Sequence, residues 1–437
     1  MRDMAKIVTV DSVIPMWQKD RICAVTFKEN AYEVIVPKED AVVGKHLVFI
    51  EADSILPVKP EWEFLRKRCF KPSLNGFLIR PMTMGRKDAN GLEGERVLSW
   101  GLAVTPESIG LENEKVGADV TEKLGIVKYE PAEDASPNGG GNRHPAFIRF
   151  LLRRRNEHLR NLAKMWIGIY GNKGGFPTNV ISKSDETTIQ NCKDVLETFK
   201  DDVVYTTAKM EGQSVTALLE VKKVLWFKHI RFYVCSRNTA YKNENDNAFW
   251  AFAKRNDLAR KFTAFYNRTG LIPVIQAEQC GPGIQSNIYN FDSTRWFVYE
   301  AKTINPATGV CRQLTLDEMI ALAIEFGLDH VPVLDRDVKL KDIMPDVDAA
   351  VKYAERAFYM IYKDDEGRVE NFAYGWNDTI LPEMKLWSDY MMHEGVVVRS
   401  MNCDKDRGIG CSFKVKNMPY AELDLPKMAK AVRMNLN

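Results

Sequence analysis

Residues 203–221 read Val203-Val-Tyr-Thr-Thr-Ala-Lys209-Met-Glu211-Gly212-Gln-Ser214-Val-Thr-Ala-Leu-Leu-Glu-Val221. The β-branched and aromatic residues from Val203 predict a strand, and the run from Val215 to Val221 predicts a second. Between them lies a tight turn, and Gly212 offers the backbone freedom that such a turn demands. A Lys-x-Glu-Gly string is by itself a common surface turn, so its meaning rests on what surrounds it.

Four further elements follow in order. Gln276-Ala-Glu278-Gln-Cys-Gly281 reads as a strand that carries one acid and ends at a glycine turn. Trp296-Phe297-Val-Tyr299-Glu300 is an aromatic-rich strand, and His393-Glu394-Gly395-Val396-Val397-Val398-Arg399 sets an acid and a glycine before a buried strand. Ser412-Phe413-Lys414-Val415-Lys416 alternates, which puts Lys414 and Lys416 on one face and Phe413 and Val415 on the other.

Together these elements resemble the signature of the covalent nucleotidyltransferases, the superfamily of ATP-dependent DNA ligases, RNA ligases and mRNA capping enzymes. The passage from Phe176-Pro through Lys183, Asp185-Glu186 and Gln190-Asn191 is similar to one found ahead of the nucleophile in RNA ligases, as is Ser236-Arg237-Asn238. The stretches Val48 to Pro57, Phe64-Leu-Arg-Lys-Arg68 and Ser99-Trp-Gly-Leu-Ala resemble the OB domain that precedes the catalytic domain in one branch of those ligases. The family pattern departs at Thr188, where an arginine is expected.

The fold class expected is α+β. Residues 1–132 are read as an OB-fold barrel, residues 133–175 as a linker and basic helix, and residues 176–437 as a mixed α/β nucleotidyltransferase domain. About five strands and one helix at Glu61 to Arg68 are expected in the barrel, in keeping with its alternating apolar runs. The stretch Glu130 to Asn142 is rich in turn formers. The helix predicted around 146–166 carries Arg149, Arg153, Arg154, Arg155, Arg160 and Lys164. Helices are also predicted over Asp246 to Tyr266 and Leu316 to Phe326. Only 21 residues follow Lys416, so no C-terminal OB domain of the kind found in DNA ligases and capping enzymes is expected.

The resemblance implies an ATP-dependent RNA ligase that joins a 3′-hydroxyl to a 5′-phosphate through lysyl-AMP and adenylylated RNA, in repair or nick sealing. It makes Lys209 the catalytic nucleophile. It assigns nucleotide binding to Glu211, Gly212, Arg237, Glu278, Phe297, Tyr299, Glu394, Val397, Lys414 and Lys416, with Tyr299 preferred over Phe297 for stacking on adenine. Glu211, Glu278 and Glu394 are expected to hold Mg²⁺ or Mn²⁺ through water, since magnesium takes oxygen ligands and keeps its waters. A free lysine has a pKa of about 10.4 and is almost wholly protonated at neutral pH, so positive neighbours or a metal are needed to activate it. The competing readings are a DNA ligase or capping guanylyltransferase, and a non-catalytic RNA-binding protein on a decayed ligase scaffold.

Composition is that of a soluble globular protein, and the overall charge does not announce a nucleic-acid binder. Apolar residues make up 45% and charged residues 27% of 437, and the net charge is +2. No apolar run approaches the ~18 residues of a membrane span, and no secretory signal opens the chain. Eight scattered cysteines form no metal-binding spacing and are expected as reduced thiols in the cytoplasm or nucleus.

Overall fold

The computed structural model describes residues 4–87, 90, 93–129, 173–184, 186–224, 227–242, 247–285, 287–289, 291–363, 369–376, 389–392 and 394–417. The basic cluster from Arg149 to Lys164, the linker, Asp185 and the stretch after Asn417 lie outside the described residues. The chain divides into two compact units, Met1–Asp134 with Ile189–Asp194, and Ala135–Thr188 with Val195–Asn437.

The first unit is built on one long strand, Ala5–Met16. Its first half pairs with His46–Glu51 and its second half with Lys19–Phe27, with a register shift between Val10 and Ser12 where it changes partner. A bulge of this kind bends and twists a strand, which is how one sheet curls toward a barrel. The sheet order is Gly101–Val104, His46–Glu51, Ala5–Met16, Lys19–Phe27 and Glu33–Pro37, with the hairpin Met82–Lys87 and Glu93–Ser99 joined to the long strand. A second sheet orders Val127–Lys128, Ser54–Pro57, Gly76–Leu78 and Phe70–Lys71. The expected barrel of about five strands therefore holds eleven among the described residues. The extra strands are mostly two to four residues long, too short to show a period. The predicted helix at Glu61 to Arg68 is a 3-10 turn, Pro60–Leu65, running into a one-turn α-helix, Arg66–Cys69. Ile189–Asp194 belongs to this unit, where Gln190 O accepts from Ala31 N at 3.0 Å and Asn191 Nδ2 donates to Glu51 at 3.1 Å.

The second unit holds two sheets that meet at Lys209. Val203–Ala208 lies in a five-stranded sheet, between Gly395–Ser400 and Val333–Lys339. Gln213–Val224 lies in an eight-stranded sheet, between Phe227–Cys235 and Ile272–Cys280. The two strands read from sequence on either side of Lys209 are thus not a hairpin. The turn between them carries the chain from one sheet to the other.

Helices Ala248–Arg255, Leu258–Thr269 and Leu316–Phe326 share a core with the larger sheet, including Phe232, Phe262, Trp296 and Phe326. The last helix has the predicted bounds and starts at a capping box between Thr315 and Glu318. The single helix predicted over Asp246 to Tyr266 is two helices, because Asp257 takes a left-handed conformation (φ 53°) between them. Aspartate tolerates that region better than most residues. All eight cysteines are free thiols. No helix among the described residues is long and apolar enough to cross a membrane.

Gly212 marks the crossing, though not through unusual backbone angles, since it is absent from the positive-φ glycines. A Cβ there would stand 2.4 Å from Gln279 O and 2.9 Å from Cys280 Sγ. Gly212→Ala is expected to destabilise the protein by about 1–3 kcal/mol, the range for overpacking. Thermal unfolding measures this, and wild-type stability would show that the neighbouring strand can yield.

Candidate active site

The crossing turn brings Lys209 against three carboxylates. Its amide donates to Gly395 O at 2.9 Å, which fixes the turn to the start of the strand Gly395–Ser400. Its ammonium forms an ion pair with Glu394. Burial alone would lower the pKa of the ammonium, but the charges of Glu394, Glu278 and Glu211 outweigh it and raise the pKa above the ordinary lysine value. Glu278 responds the opposite way to its own crowding. Burial and the charges of Glu394 and Glu211 push its carboxyl up to about 8, against the pull of Lys209 and Arg237. The free protein therefore holds a protonated lysine inside an excess of negative charge.

Neighbours on the strand Ile272–Cys280 and the loop after it brace this turn. The Tyr289 hydroxyl accepts from Glu211 N at 2.8 Å, Gln285 Nε2 donates to Gly212 O at 3.1 Å, and the Cys280 thiol donates to Glu211 O at 3.2 Å. Tyr299 is set by hydrogen bonds between its hydroxyl and those of Ser184 at 2.6 Å and Ser214 at 3.0 Å.

Lys414 and Lys416 are half-buried on one side of Ser412–Lys416, with Phe413 and Val415 buried on the other. Strand register sets Lys414 opposite Val397 and Lys416 opposite Gly395. Arg237 is half-buried and reaches Glu278 electrostatically. Thr188, at the position of the expected arginine, is 1% exposed and in parallel register with Lys414.

One residue expected to bind nucleotide is corrected. Phe297 is 1% exposed and stacks on Phe291 with centroids 5.6 Å apart. Phe291 stacks in turn on Tyr289. Phe297 is a wall residue behind the turn and has no free face to offer a base. Tyr289, Gln285, Ser184 and Ser214 are site neighbours that the sequence reading did not assign. The Gly281-Pro-Gly283 turn was the available signal for Gln285 and Tyr289. Among the described residues, no three His, Cys, Asp or Glu side chains form a direct metal shell.

Residues 202–416 match the RNA ligase family model, and residues 4–93 match an OB-fold domain model. The chain thus carries an RNA ligase domain behind an OB-fold domain. No curated protein matches the chain. Solved structures of Naegleria gruberi RNA ligase share the fold. One with AMP and Mn has a TM-score of 0.63 and 22% identity over 96% of this chain and 98% of that one. One with ATP and Mn has a TM-score of 0.63 and 22% identity over 96% and 97%. One with PPi has a TM-score of 0.63 and 22% identity over 97% and 98%.

Behind the site of the ligase domain lies a buried ionic lattice. Arg399 donates to Glu186 at 2.6 Å, to Tyr299 O at 2.5 Å and to Glu300 at 3.5 Å. Lys405 pairs with Glu186 at 2.8 Å and with Glu300 at 2.5 Å. Lys302, with no exposed surface, pairs with Glu300 at 3.1 Å and with Asp406 at 2.7 Å, and donates to Ser182 at 2.8 Å. Ser412 donates to Glu186 at 2.6 Å, so the lattice reaches the start of the strand that carries Lys414 and Lys416. Burial would push the Glu186 carboxyl up, yet Arg399, Lys405 and the Ser412 hydrogen bond hold it well below the usual carboxylate range.

Arg399→Met leaves Glu186 and Glu300 buried beside too little positive charge. A loss of about 3–5 kcal/mol is expected, the cost of breaking a buried pair. Chemical denaturation measures it, and a loss below about 1 kcal/mol would place the pair among weak surface bridges.

Proposed function

We propose that this RNA ligase adenylylates itself on Lys209 from ATP and then joins RNA ends. The observation that carries the reading is the lysine at the sheet crossing, ringed by Glu211, Glu278 and Glu394, with the face of Lys414 and Lys416 in register beside it. The AMP, ATP and Mn in the Naegleria structures support the choice of nucleotide and of a divalent cation.

Lys209 Nζ, once deprotonated, attacks the α-phosphorus. An N–P bond forms, the bond to the bridging oxygen breaks, and pyrophosphate leaves. Lys414 and Lys416 hold the phosphates. Tyr299 and Val397 face the adenine from opposite sides, and Arg237 contacts the nucleotide or the 5′-phosphate. A divalent cation would be held by the three glutamates through its waters, because they form no direct shell, and it supplies positive charge against the phosphates. AMP then passes from Lys209 to an RNA 5′-phosphate, and the 3′-hydroxyl displaces it as the phosphodiester forms. Positioning and charge stabilisation do most of this work.

Residues 1–132 serve as the nucleic-acid-binding OB domain and residues 176–437 as the adenylylation domain. The biological task is repair of broken RNA, with nicked duplexes among the substrates, inside the cell.

Incubation with α-labelled ATP and Mg²⁺ is expected to label the wild-type chain and not Lys209→Ala, and only the wild type should seal a nicked RNA duplex. Label on Lys209→Ala would move the nucleophile elsewhere. No label on a folded wild type, freed of bound AMP, would favour a non-catalytic RNA-binding protein.

A further inference from the structure

The run Phe64-Leu-Arg-Lys-Arg68 takes no part in the adenylylation site. It lies in the first unit, on the corner formed by Pro60–Leu65 and Arg66–Cys69. This corner is pinned from below. Trp62 has no exposed surface, and Leu65, Cys69 and Phe70 pack on the core of the unit. The Arg66 guanidinium lies 4.5 Å over the Phe70 ring and 5.5 Å over Phe77, and pairs with Glu63.

Phe64 does not join this packing. It is 64% exposed and is the one aromatic among the exposed large hydrophobic residues described. Exposed Lys67, Arg68 and Lys71 accompany it. The carboxylates of the corner are already engaged, Glu63 with Arg66 and Glu61 with Lys59 at 3.8 Å. Among the described residues, none within salt-bridge distance neutralises Lys67, Arg68 or Lys71. The charges of Arg68 and Lys71 both pull down the pKa of the Cys69 thiol, which burial pushes up.

We propose that this corner is an RNA-binding surface, with Phe64 as a base-stacking platform and Lys67, Arg68 and Lys71 as phosphate contacts. The inference rests on the ligase reading for its choice of RNA. An unpaired ribonucleotide strand offers a base to stack and a phosphate every residue, and an aromatic face among unneutralised cations matches both. The pinned backbone adds to the fit, because Trp62, Leu65, Cys69 and Phe70 already hold the corner that presents these side chains, and no loop has to be ordered on binding. A protein partner would call for a broader apolar surround than three cations provide.

The test uses the full chain, with Phe64→Ala, Phe64→Trp and a triple variant, Lys67→Gln with Arg68→Gln and Lys71→Gln. Fluorescence anisotropy with a labelled oligoribonucleotide reads binding, and labelling by α-labelled ATP without RNA reads the adenylylation site. Phe64→Ala is expected to weaken RNA binding about tenfold, and Phe64→Trp to preserve it. The triple variant should flatten the salt dependence by about two units of the log–log slope, at about 0.7 per phosphate contact. All three should take label from ATP at the wild-type rate. Wild-type affinity and salt slope in Phe64→Ala and the triple variant would overturn the proposal, as would a Phe64-dependent dimer with unchanged RNA binding. A wild type that takes no label but binds RNA through this corner would fail the ligase reading and leave the surface standing.

Discussion

The ammonium of Lys209 is held among Glu394, Glu278 and Glu211, and that unequal grouping governs the site. Three carboxylates around one cation raise the lysine's pKa and force up that of Glu278. In this state the lysine is a poor nucleophile, because its lone pair carries a proton. The same excess of negative charge favours the arrival of a cation, which would relieve both groups at once. Reactivity would then be switched on by loading of the site and be absent from the empty protein.

The fold makes this grouping possible by placing Lys209 where the chain leaves one sheet for the other. Glu394 and the two lysines come from the smaller sheet, and Glu278 and Tyr299 come from the larger. The buried lattice of Arg399, Glu186, Glu300, Lys405, Lys302 and Asp406 draws on both sheets and on the loops at residues 182–186 and 404–407. Its three acids balance its three bases. Such a network costs much desolvation and tolerates few other geometries, so it favours a single arrangement of the elements that present the site.

The residues that the structure gathers around Lys209 were more legible in the sequence than the packing that supports them. Lys209, Glu278, Glu394, Lys414 and Lys416 each sit in a segment with its own local pattern, and the order of the segments carried the resemblance. Phe297 and Tyr299 could not be separated by period, because residues two apart share a strand face. Phe291, in an irregular stretch before the strand, decides that Phe297 is covered. The need for Gly212 comes from the backbone at Gln279, which no local reading reveals. The lattice partners lie far apart in the chain, from Glu186 to Ser412. The break at Asp257 and the shortest barrel strands escaped because they interrupt a period or are too brief to have one.

The most direct measurement is the single-turnover rate of adenylylation as a function of pH, with ATP and divalent cation far below saturation, where the profile reports the groups of the free enzyme. A lysine held protonated by its neighbours should react faster as it loses its proton, so the rate is expected to climb from about pH 6 to about pH 9. A rate that stays flat or falls across that range would mean that Lys209 is already deprotonated or is not the nucleophile, and would contradict the hold of the three carboxylates on its proton.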